Sequence, residues 1–370
     1  MTQSTMIPDT TIGIDLGDKK SHICVLSADG EVQERAEVPT TMAALRRRFG
    51  QCEPLRIAIE AGGQSGWISE LLKELGHDVI VANPRKLRMI YENDSKCDAV
   101  DAEQLARVAR LDVKLLHPIQ HRDRSARADL NKARSRDLLI ATRTSMINHV
   151  RGVLKSFGAR ATNKAAPQFH TWIEDKIPSE LDGALKPILD TLTTVNEQIK
   201  VLDKEIVRLT KEVYPEAQIL QQVDRVGPHT SLRFILTIED PSRIERSRDM
   251  GAYLGLVPKR KQSGKGDPEM RITKAGDNEV RRHLVQCAQQ MLGPFGKDSD
   301  LRRWGLELAA RGGKTTKKKA VIAVARKLAV VLHTLWRTSE VYEPLRNANR
   351  AAKTTAAAAT AIATTTAVPA

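Results

Sequence analysis

The sequence predicts an α/β N-terminal domain, a helical connector with a coiled-coil seam, and a mostly α C-terminal domain. Three observations predict this. Short apolar or alternating segments, bounded by Gly, Pro and Asp, fill positions 11–83. A 3,4-spaced apolar seam runs from Leu185 to Val213. Beyond it the apolar periodicity is again mostly helical, from about 219 to 348.

Each element follows from local chemistry. "TIGIDLG", "SHICVLSA" and "EVQERAEVP" are separated by "DKK" and "DG" turns, the pattern of a three-strand meander. "TTMAALRRRFG" reads as a capped helix closed by Gly50. "LRIAIEAG", "GWISELLKELG" and "HDVIVANP" add strand, helix and strand, so a sheet with both faces covered is expected. A helix carrying Asp98 and Asp101 follows. The expected boundaries are 1–118 for the catalytic domain, 119–218 for the connector, 219–348 for the C-terminal domain and 349–370 for a disordered low-complexity tail.

The connector has two parts. Residues 121–164 hold eleven Arg or Lys against three Asp, a surplus too lopsided for paired helical bridges, which favours a nucleic-acid track. Arg122, Arg124, Arg127, Arg134, Arg136, Arg143 and Arg151 would form it. The seam Leu185, Ile188, Leu192, Val195, Ile199, Leu202, Ile206, Leu209 and Val213 specifies either a dimeric coiled coil, the favoured reading, or an antiparallel hairpin with the basic helix. In the third region, Ser242 and Glu245 suggest a capping box, and "MRITKAGDN" suggests a short strand and turn.

Composition narrows the function. The 370 residues carry a formal net charge of +14, which points to a polyanionic partner without separating DNA from RNA. An uncharged apolar run of about 20 residues is absent, so no membrane span is expected. "MTQSTMIPDTT" has no signal-peptide pattern, and the scattered Cys24, Cys52, Cys97 and Cys287 form no CxxC pair. A protein of the reducing cytoplasm is the expectation.

The acidic residues carry the chemistry. Asp15 stands near the end of the first strand and Glu60 at the end of the fourth. If those strands are neighbours, their ends meet, and a helix presenting Asp98 and Asp101 at i and i+3 can dock beside them. Singly, each acid is an ordinary turn former or helix-start residue. Together they repel, and two Mg²⁺ or Mn²⁺ ions about 4 Å apart would neutralise them and clamp a phosphate. Ser263 in "KRKQSGKGD", flanked by Lys259, Arg260, Lys261 and Lys265, reads by itself as an ordinary loop serine.

"GIDLGDKKSHICVL", "AIEAGG", "VANPRKLR" and "KCDAVDAEQLA" together resemble the RuvC-like, DEDD-type transposases of the insertion-sequence 110/1111 class, related to the Piv DNA invertases. "GAYLGLVPKRKQSGKGD" and "RITKAGDNEVRRHLVQCA" resemble that family's C-terminal transposase domain. Cys97 and "RVGPH" depart from the family pattern without removing a charged or nucleophilic group. The resemblance implies an RNase H fold (RuvC-like) and a DEDD metal site of Asp15, Glu60, Asp98 and Asp101. It also implies Ser263 as a recombination nucleophile forming a phosphoserine with DNA. Further implications are donor and target DNA as substrates, a noncoding guide (bridge) RNA, and homodimers assembling to tetramers with a composite site.

Three rivals are weighed. A metal-only nuclease or Holliday-junction resolvase needs the acids but not Ser263. An actin-like or sugar-kinase ATPase needs a second phosphate loop, which the sequence lacks. A non-catalytic nucleic-acid-binding scaffold leaves the four carboxylates without a purpose.

Overall fold

In the computed structural model, residues 10–87, 98–161, 165–260, 270–313 and 315–349 are described. The chain divides into two compact units between Asp123 and Arg124.

The first unit is built on five strands: β1 (Thr11–Asp15), β2 (Lys20–Leu26), β3 (Val32–Pro39), β4 (Arg56–Glu60) and β5 (Asp78–Ala82). Their order is β3-β2-β1-β4-β5. The meander β1–β2–β3 is antiparallel, whereas β4 runs parallel to both β1 and β5. Alternation along the strands divides the side chains between two faces. Ile12, Ile14, Ile57 and Ile59 pack with Leu45 and Phe49 of α1 (Met42–Phe49) and with Ile68 and Leu72 of α2 (Ser65–Glu74). Cys24, Leu26 and Ala58 lie on the other face, covered by α3 (Asp98–Leu111). The helix α3 buries Ala102, Leu105, Ala106 and Ala109, an i, i+3, i+4, i+7 stripe of mostly small residues. Small side chains let this helix lie almost on the sheet. The mixed sheet with helices on both faces fits an RNase H-like domain.

The second unit is helical. Its longest helices are α4 (Arg124–Ser156) and α6 (Asp182–Glu212), with the short α5 (Phe169–Glu174) between them. Lys132 reaches Glu205, Arg136 reaches Asp203 and Arg143 reaches Asn196, so α4 and α6 run antiparallel. The predicted seam is thereby accounted for within one chain. Leu185 and Leu192 pack with Ile147, Val150 and Leu154 of α4 and with Phe169 of α5. Ile206 and Leu209 pack with Leu130 and Ala133. The periodicity was legible, but it encodes a hairpin rather than the favoured dimer seam, and Val213 at its end is exposed.

Among the described residues, six more α-helices follow: α7 (Glu216–Leu220), α8 (Pro228–Ile238), α9 (Met250–Tyr253), α10 (Asn278–Leu292), α11 (Asp300–Ala310) and the long α12 (Thr316–Thr338). Phe234, Ile235, Leu284, Ala288, Val324, Leu328 and Leu332 form its main core. Two local expectations change. Asp240, not Ser242, caps the turn at 241–243, accepting from the Ser242 amide at 2.8 Å. The expected strand in "MRITKAGDN" is reduced to a single bridge between Pro258 and Ile272, because Lys274 and Gly276 adopt positive φ and turn the chain. The low-complexity segment 350–370 lies outside the described residues.

Candidate active site

The four predicted acids occupy the first unit. Asp15 ends β1 and Glu60 ends β4, and these strands are parallel neighbours with Gly13 opposite Ala58 and Ile14 opposite Ile59. Asp15 shares strand parity with Gly13, and Glu60 with Ala58, so both carboxylates emerge on the face that α3 covers. His22, opposite Asp15 across β2, has the parity of Cys24 and emerges there too.

Gly13 permits the closest approach. A Cβ at this position would come within 2.0 Å of the Ala102 carbonyl oxygen and 2.6 Å of the Ala106 nitrogen. With the helix so close, its first turn, holding Asp98 and Asp101, arrives over the strand ends. An acidic first turn is favoured by the helix dipole, which offsets part of the repulsion.

Electrostatics register the convergence. Burial pushes the Asp15 carboxyl up to about 6, and the carboxylates of Asp98, Asp101 and Glu60 push in the same direction. His22 opposes them, and its Nε2 lies 3.5 Å from Asp98 Oδ2. Asp15 and Glu60 are half-buried, and Asp98 is exposed. The donor set is entirely of hard carboxylate oxygens, with one carboxyl held protonated into mild acid, and that set suits Mg²⁺ or Mn²⁺. Sequence reasoning missed His22; strand parity was the signal that could have found it.

The predicted basic residues separate into groups. Arg136 and Arg143 are half-buried and committed to Asp203 and Asn196 on α6. Arg151 is half-buried, with its guanidinium 5.3 Å from the Phe169 ring centroid. Arg122 and Arg127 are also half-buried. Arg124 and Arg134 face solvent, as do Lys259 and Arg260. Three of the predicted track residues thus serve the hairpin, because a helix with one face packed must place some of its long cations along that seam. Ser263, Lys261 and Lys265 lie outside the described residues.

Comparison with known proteins fits this arrangement. A DEDD-type transposase model of the IS110 group, described as "Transposase", matches residues 12–158. A second, "Transposase IS116/IS110/IS902 family", matches residues 217–299. A "Probable family 20 transposase" from Pseudomonas aeruginosa is 26% identical over 90% of this chain and 98% of its own length. The "Transposase for insertion sequence element IS1111A" of Coxiella burnetii is 26% identical over 90% of each chain. A "Pilin gene-inverting protein" from Moraxella bovis is 24% identical over 45% of this chain and 50% of its own. The N-terminal unit is therefore of the DEDD transposase class. With the second match, the chain belongs to the IS110/IS1111 family of transposases, enzymes that cut and rejoin DNA. Among the described residues, no helix is long and apolar enough to cross a membrane.

Proposed function

We propose that this chain is an RNA-guided insertion-sequence recombinase. In this reading Asp15, Glu60, Asp98 and Asp101 hold divalent metal, and Ser263 is the nucleophile. The observation that carries the metal half is the elevated Asp15 carboxyl, pushed up by burial and then by the three other acids. Like charges held near one another are costly, and a dication drawing them together would relieve that cost. When bound, Mg²⁺ would polarise a phosphoryl oxygen of the scissile bond.

The protein's own residues do the rest. The Ser263 hydroxyl attacks phosphorus, its proton leaves to a base or solvent, and the departing DNA hydroxyl takes up a proton. The phosphoserine so formed retains the phosphodiester bond energy, so a second DNA hydroxyl can reverse the step and reseal a strand without ATP. Lys259 and Arg260, both exposed, would draw the backbone toward the loop. Family membership supports DNA as substrate. The net charge of +14 and the exposed Arg124 and Arg134 support a nucleic-acid surface on which a guide RNA docks. Base pairing by that RNA would choose the target. Dimers and tetramers would assemble without the α6 seam, which the hairpin uses.

The test is recombination of a donor and target plasmid, in cells that also transcribe the DNA flanking the gene. Asp15→Asn and Ser263→Ala should each abolish product. A denatured reaction should show DNA covalently attached to wild-type protein and none attached to Ser263→Ala. Full recombination by Ser263→Ala would leave the metal-only nuclease. Recombination independent of the flanking transcript would remove the guide RNA.

A further inference from the structure

The second unit contains a compact group of metal-ligand side chains that the transposase reading does not use. Asp137 comes from α4, His229 from the first turn of α8 and His283 from α10. One donor atom from each lies within 4.8 Å of both others. His229 Nε2 is 3.4 Å from Asp137 Oδ1, and His283 Nε2 is 3.5 Å from Oδ2. Two ligands held about 2.0–2.1 Å from one tetrahedral ion stand about 3.3 Å apart. The imidazoles are also mutual neighbours, with ring centroids 4.7 Å apart. We propose that Asp137, His229 and His283 form a binding site for a zinc-class transition-metal ion that ties α4, α8 and α10 together.

Two observations favour this occupant. First, the ligand atoms are short of partners. Both ring nitrogens of His229 are buried without a hydrogen-bond partner, and Nε2 of His283 meets only Asp137 Oδ2, at 3.5 Å. Coordination would satisfy these buried nitrogens. Second, the carboxylate is oriented from outside. Arg233, itself fully buried, donates to Asp137 Oδ2 at 2.5 Å and leaves Oδ1 beside His229.

The surrounding cations do not exclude a dication. Arg136 and Arg282 also approach Asp137, at 3.7 and 3.4 Å. Arg136 bonds Asp203, and Arg282 pairs with Glu279. Three guanidiniums (Arg136, Arg233 and Arg282) are thus matched by three carboxylates (Asp137, Asp203 and Glu279). With local charge balanced, affinity rests on imidazole nitrogens. That selects zinc, cobalt or nickel over magnesium. Ligands 92 and 54 residues apart would make the ion a cross-link among helices distant in sequence.

The full-length chain, stripped with a chelator and then given Zn²⁺ or Co²⁺ alone, tests the site. One tightly held zinc per chain is expected, with a cobalt absorption spectrum of tetrahedral intensity and a rise in melting temperature. His229→Gln with His283→Gln should weaken zinc binding beyond the roughly 10–100-fold typical of losing an outer-shell partner. The variant with Asp15, Glu60, Asp98 and Asp101 all changed to Asn should bind zinc like wild type. If the histidine variant fails to fold, X-ray absorption of wild-type zinc decides: two imidazole shells support the site and fewer overturn it. Zinc binding unchanged by the double substitution overturns it as well. So does stabilisation by inorganic phosphate instead of zinc, lost in the same variant, which would make this an arginine-lined anion pocket.

Discussion

Gly13 lies directly beneath Ala102: a single Cβ on the strand residue would come within 2.0 Å of the helix carbonyl. This contact sets the height of α3 above the sheet, and with it the distance from Asp98 and Asp101 to Asp15. The acidic site thus depends on a residue that has no side chain.

Gly13→Ala should therefore act on stability and site together. Backbone atoms cannot give way as a side-chain tip can, so α3 must lift. A loss of about 1–3 kcal/mol from the first unit is expected in urea unfolding, with recombination abolished. A stable, active Gly13→Ala protein would show that α3 does not need this approach.

Asp15→Asn should stabilise the metal-free protein at pH 7.5. A carboxyl raised from 3.8 to about 6 favours the fold fully below pH 3.8, and that contribution is lost as pH rises through 6. At pH 7.5 the charged Asp15 is a burden that Asn lacks. A melting temperature about 1–3 °C higher is expected, discounted for the half-exposed setting, and the gain should vanish below pH 4. Mg²⁺ should raise the melting temperature of wild type and not of Asp15→Asn. An equal magnesium response in both proteins removes Asp15 from the ligand set.

Arginines of α4 should fall into two classes. Replacing the exposed Arg124 and Arg134 by Ala should lower the salt slope of RNA or DNA binding by about 1.5–2, since each phosphate contact contributes about 0.9 on a duplex. Arg136→Ala should instead lower thermal stability, because its partner Asp203 is on the packed α6. Unchanged salt dependence in the first pair would move the nucleic acid to another face.

Arg233→Met should be strongly destabilising. Its guanidinium is 1% exposed and bonded to Asp137, so removing it takes the closest and most buried cation from a largely buried carboxylate. A cost of about 3–5 kcal/mol is expected in denaturant unfolding, and Arg233→Met with Asp137→Leu should recover part of it. A neutral single substitution would show that water already reaches Asp137.

Local and periodic features were legible from the chain alone. Strand alternation, turn residues and the helix stripe marked all five strands and α1 to α3, because burying one face leaves a period of 2 or 3.6 in the sequence. The four acids stood out for a similar reason: each falls at the end of an element whose type can be read locally. What covers an apolar face is not local information. The α6 seam has the spacing of a coiled coil in either a dimer or a hairpin, and only the packing of Leu130, Ala133, Ile147 and Val150 against it decided between them. The same holds for the Asp137, His229 and His283 group. In the sequence Asp137 is one of three acids in the basic segment 121–164, and His229 and His283 are isolated. Tertiary packing alone brings them together, because contacts between helices depend on which faces meet, and the spacing within one helix does not encode its neighbour.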